Sequence, residues 1–86
     1  MAEYILRSPN ELLHKAAESM DVQGEWRTWS RLDWAKIVNC WAFNLPAELA
    51  AQEIRLLRMI YDIPLSDDEV NEIVNYQLMP RRASVN

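Results

Sequence analysis

The one histidine of this chain, His14, stands three residues after Glu11. Glu-x-x-His puts a carboxylate and an imidazole on one side of a helix, the spacing by which di-iron carboxylate bundles hold their metals. Such a site also needs further inward-facing glutamates and the same motif on a second helix. With one histidine, only a dimer could complete it. Glu11 has a competing role as a helix-capping residue, and His14 falls opposite the apolar stripe of its own helix. The ligand set is incomplete, so no metal is assigned. A ferritin-like metal protein completed by dimerisation stays as an alternative reading.

Glu53 is the second candidate. On a helical projection it is surrounded by Leu49, Ala50, Leu56, Leu57 and Ile60, while Arg55, Arg58 and Asp62 centre the opposite, polar side. A carboxylate on an apolar face is costly unless it is hydrogen-bonded or paired. It is therefore expected to be a buried functional acid, to fix a partner, or to make a structural bond to an indole N–H or an arginine.

Other chemistry is thinner. His14 and Cys40 belong to different helices, and a nucleophile–base pair would need the fold to bring them together. On a mostly apolar helix, Cys40 reads as an inert small hydrophobe. A single glycine, Gly24, excludes the glycine-rich phosphate-binding loops. Asp67, Asp68, Glu69 and Glu72 lack the spacing of an EF-hand loop, and capping explains the first three. Arg81-Arg82-Ala83-Ser84-Val85 has the form of a basophilic kinase site, but a frayed chain end is the simpler account. No catalytic residue and no cofactor are assigned, and the chain is not expected to be an enzyme.

The elements that must position these residues are helical. Four prolines, at positions 9, 46, 64 and 80, each fall at an edge of an apolar periodic segment. Proline is tolerated in a first turn or past a helix end. The first helix opens at Ser8-Pro9-Asn10-Glu11 with a capping box, and Leu12, Leu13, Ala16, Ala17 and Met20 form its stripe. Residues 21–29 read as irregular. The second helix runs from near Ser30 to about Asn44. Trp34, Ile37, Val38, Trp41 and Leu45 share one face, and Leu32, Asn39 and Phe43 lie opposite. A helix apolar on two faces is central in its fold or shared with a partner. The third helix follows Pro46 and reaches about Asp62, forming a hairpin with the second across Asn44-Leu45-Pro46. The fourth starts at Ser66, with Glu69 closing a capping box and Leu65 and Val70 placed for a hydrophobic staple. Val70, Ile73, Val74, Gln77 and Leu78 make its inner stripe, and Pro80 is expected to stop it.

Eighty-six residues support one domain with a modest core. Apolar runs of four or five residues are too short to cross a membrane. The N-terminal MAEYILRSPNELL carries an acid and a Pro-Asn break, unlike a secretory signal, and a lone cysteine cannot form an internal disulfide. A reducing cytoplasm is the matching compartment. Residues 1–79 hold all thirteen acids against seven Lys/Arg, a net of −6, and the tail returns +2. Scattered basic residues make nucleic acid a poor partner. A helix-turn-helix-like DNA-binding regulator built from the third and fourth helices is a second alternative, disfavoured because its recognition helix would start with Asp67-Asp68-Glu69, facing phosphates with three negative charges.

All four tryptophans, Trp26, Trp29, Trp34 and Trp41, fall within sixteen residues. Tryptophan fills small cores and anchors interfaces. The whole reads as an all-α compact bundle of about four helices with the second–third hairpin at its centre. One domain spans 1–79, and a flexible basic tail spans 80–86. Trp34, Ile37, Val38, Trp41, Leu57, Ile60, Ile73 and Val74 are the expected core. The expected function is that of a small acidic protein–protein interaction module, an accessory regulator or inhibitor of a host or partner protein, of the kind phages and other mobile elements encode. Self-association as a homodimer through the second helix and the Trp-rich approach to it is expected. The expected partner-binding residues are Trp26 and Trp29, on a segment with few apolar neighbours, together with Leu32, Phe43 and Glu53.

Overall fold

A computed structural model describes the backbone of residues 8–84 and the side chains of residues 8–77. Residues 1–7, which bear on the expectation of no secretory signal, and Val85 and Asn86 of the expected tail lie outside the described residues. Among those described there are four α-helices and no strand: α1 (Pro9–Met20), α2 (Arg31–Asn44), α3 (Ala47–Tyr61) and α4 (Asp67–Ser84). A 3₁₀ turn, Trp26–Thr28, interrupts the α1–α2 connection, which is thus more ordered than the sequence suggests.

Local chemistry sets the helix ends. Ser8 accepts from the Glu11 N–H at the start of α1, with Pro9 in the first turn. Ser30 and Asp33 cap α2 reciprocally, each side chain accepting from the other's backbone N–H. Ser66 and Glu69 do the same for α4, at 3.1 and 3.0 Å, and the stapling residues Leu65 and Val70 are both buried. Helices α1 and α3 end on aspartates in the left-handed region, Asp21 (φ 54°) and Asp62 (φ 50°). The short polar side chain makes aspartate one of the few non-glycine residues found there. Beyond each, the chain closes back: Val22 N–H reaches Ala17 O at 2.9 Å and Ile63 N–H reaches Arg58 O at 3.0 Å.

The fourth helix does not stop at Pro80. It continues to Ser84, so residues 80–84 of the expected tail are helical. Proline's fixed φ is itself close to helical, and what it removes is the single bond its N–H would make to the carbonyl of residue 76. Near a helix end one missing bond does not force a stop.

Helix α2 packs against all three others, with α3 folded back on it as a hairpin across Leu45-Pro46. Its buried residues are Trp34, Ile37, Val38, Cys40, Trp41 and Ala42, a broad arc that one neighbour could not cover. The Trp41 indole donates to Leu12 O at 3.1 Å inside the core, fixing α1 against α2 while satisfying a buried donor. Tyr61 donates to Asn10 Oδ1 at 2.9 Å and ties the end of α3 to the start of α1. Gln77 donates to Asn39 Oδ1 at 2.7 Å between α4 and α2. The Arg58 Nε donates to Leu65 O at 2.6 Å, and its terminal nitrogen reaches Asp67 at 3.2 Å, bracing the α3–α4 turn.

The core differs from expectation at two positions. Ile60 is 55% exposed, and Ile73 is half-buried against the core. The inner face of α3 is instead Ala50, Ile54, Leu57 and Tyr61.

Candidate interaction surface

The Trp-rich approach to α2 is a packed loop. The Trp29 indole N–H is shared between Gln23 O (3.1 Å) and Gly24 O (3.2 Å), which closes the connection on itself. Gly24 sits at φ +89°, a conformation L side chains rarely adopt. The Trp29 ring meets Trp34 edge-on with centroids 5.0 Å apart. Trp26 meets Tyr61 at 5.0 Å and Trp34 at 6.3 Å, and the Arg27 guanidinium lies 4.5 Å from its centroid. Both indoles are half-buried. The premise that Trp26 and Trp29 have few apolar neighbours is therefore corrected: the Trp34 ring of α2 and, from far along the sequence, the Tyr61 ring of α3 supply them.

This loop and α1 bound an open cleft of about 500 Å³ with Leu13, Ala17, Val22, Trp26 and Trp29 among its walls. Its rim holds His14, Glu18, Asp21 and Glu25. Two of those acids are already engaged, Glu25 with Arg27 and Asp21 with the Gln23 amide.

The larger anomaly is on α3. Its inner residues 50, 54, 57 and 61 follow the 4-3-4 spacing of a helix–helix seam. Leu49, Glu53, Leu56 and Ile60 repeat that spacing one residue earlier. At 3.6 residues per turn the second seam lies about 100° around the helix from the first. The core occupies the inner seam. The outer seam carries Leu49 and Glu53 half-buried, Leu56 48% exposed and Ile60 55% exposed, with Met59 beside it at 73%. The apolar surroundings expected of Glu53 are therefore real, but they belong to a face turned out of the bundle. Among the described residues Glu53 makes no hydrogen bond or ion pair; neither an indole nor an arginine meets it.

Leu32 and Phe43 stand on the outward face of α2, 67% and 65% exposed. Asn39 lies between them in the same row and, with Ile73 and Tyr76 of α4, lines a shallow groove of about 470 Å³. The five expected partner-binding residues thus fall in three places: Trp26 and Trp29 in the loop cluster, Leu32 and Phe43 on α2, and Glu53 on α3.

Titration and ligand chemistry are sparse. Burial pushes the Tyr61 phenol up. The hydrogen bond from the Ser66 N–H, with Arg31 assisting, holds Glu69 below its ordinary value. Glu11 and His14 are both exposed on α1. Among the described residues no three His, Cys, Asp or Glu side chains gather to hold a metal ion. Cys40 is buried, with the Asn44 amide 3.3 Å from its sulfur. No described helix is long and apolar enough to cross a membrane. Comparison with protein-family models, curated proteins and solved structures finds no match for this chain.

Leu56 and Met59 are the surface residues that sequence reasoning missed. The doubled 4-3-4 pattern of α3 was the available signal for Leu56, while Met59 lies beside the outer seam and in neither repeat. A single apolar arc suffices for a helix that packs on one side, and a second seam calls for a second neighbour.

Proposed function

We propose that this chain is a small protein-interaction module that docks another protein on the outer seam of α3. Through that contact it would serve as an accessory regulator or inhibitor of its partner. One observation carries the reading: three large apolar side chains, Leu56, Met59 and Ile60, stand 48–73% exposed in a row on one helix. A stripe of this kind, rather than scattered single residues, is the mark of a binding face. Helix-on-helix docking reads such a stripe as its anchors.

The test is a paired substitution. Leu56→Asp with Ile60→Asp leaves the core untouched, so the helical circular dichroism stays at wild-type strength. The partner retained by the immobilised wild-type chain from its own cell extract is lost from the variant. Retention at wild-type level would remove the reading.

A second reading concerns the outward face of α2. Leu32, Phe43 and Tyr76 of α4 are 65–75% exposed, which favours self-association there as a homodimer.

A further inference from the structure

We infer that the occupant of the α3 face is an amphipathic helix of a different protein, carrying a lysine or arginine that meets Glu53. This rests on the docking reading above and specifies its chemistry. The 4-3-4 seam selects a helix as the occupant, since that spacing matches a second helix laid nearly parallel to the first. Glu53 selects the charge.

Among the described residues, Glu53 has no cation. Arg55 projects about 200° around α3 from it, on the polar side. Arg58 is engaged by Leu65 O and Asp67. Docking an apolar surface over Glu53 strips water from an unpaired carboxylate, which is strongly unfavourable. A cation on the docking helix removes that cost and fixes the register.

The same geometry argues against a second copy. Packed parallel, the two seams set Glu53 against Glu53. Packed antiparallel about the seam's midpoint, they set Glu53 against Leu56 and Leu49 against Ile60. Either way two carboxylates are desolvated and neither meets a cation. The chain's net charge of −4 also attracts a basic partner.

Synthetic helical peptides test the assignment directly. Three share one Leu/Ile seam and differ only at its central position, which is Lys, Leu or Glu. Each is titrated into the isotope-labelled full chain while amide shifts along α3 are followed. The Lys peptide binds about tenfold tighter than the Glu peptide, with Leu between. Glu53→Gln, whose fold is checked by circular dichroism, narrows that difference, and Glu53→Lys reverses the order. Equal affinities for the Lys and Glu peptides at α3 would overturn the charge assignment and leave the docking reading standing. If no peptide moves the α3 resonances, both fall. Concentration-dependent shift changes confined to the α3 resonances, and absent from α2, in the chain alone would overturn it in favour of a second copy.

Discussion

Glu69 shows how much one exposed side chain can organise. It closes the α4 cap on Ser66 and accepts from Arg31 at the head of α2, so the two helix starts are coupled. Because those contacts need the carboxylate, its pKa lies below the ordinary 4.5 in the folded protein. A depressed carboxyl contributes stability that is present above the unfolded value and is lost as pH falls through the folded one. Urea melts of wild type and Glu69→Gln should therefore differ at neutral pH and converge under acid, below the ordinary carboxyl range. A difference that persists in acid would show that charge is not the cause. Trp29 carries the opposite lesson. Aromatic exposure in a loop suggested a binding hot spot, yet its N–H is consumed by two loop carbonyls and its ring lies against Trp34. Trp29→Ala should lower stability by about 2 kcal/mol or more, read from the thermal melt. A melting temperature equal to wild type would return the residue to the list of surface anchors.

Helix starts were the most legible feature of the chain, because a cap is written in three or four adjacent residues. Ser8, Ser30 and Ser66 each stand where such a cap requires. Ser66→Ala should cost about 1 kcal/mol, seen as a lower urea midpoint with an unchanged slope. No effect would mean that Leu65 and Val70 alone hold that turn. Helix ends were less legible. Pro80 looked like a stop, yet the missing bond of a proline is a cost rather than a barrier. The inner face of α3 was misread for a different reason. Two apolar seams lie side by side on it, and a projection averages them onto Glu53, between Leu49 and Leu57. Which seam faces inward depends on where α2 and α4 sit, and no local pattern contains that. Tyr61 and Ile54 win the interior because Tyr61 can reach Asn10 and the Trp cluster. Ile60 is left outside.

At the scale of the whole molecule, one central helix serves three neighbours, so the four helices share a single core. Small domains of this kind unfold as a unit. The outward faces are what remain for partners, and they divide by chemistry. The α3 face carries a carboxylate at mid-seam. The α2 face presents Leu32 and Phe43 with only Lys36 and Asn39 between them in the row. Self-association should therefore use α2. Light scattering at micromolar concentration should return a dimer mass for wild type and a monomer mass for Leu32→Asp with Phe43→Asp. A monomeric wild type would dispose of the dimer while leaving the α3 face untouched.

The cluster of Trp26, Trp29, Trp34 and Tyr61, with centroids 5.0–6.3 Å apart in its paired contacts, has an optical consequence. Electronic transitions in rings this close couple, and the sign and size of the resulting dichroic couplet follow their mutual angles. One ring belongs to α3, one to α2 and two to the loop between α1 and α2. A contact on α3 that shifted Tyr61 against Trp26 would change the couplet with it. Near-UV dichroism would then report occupancy of that face without an attached dye.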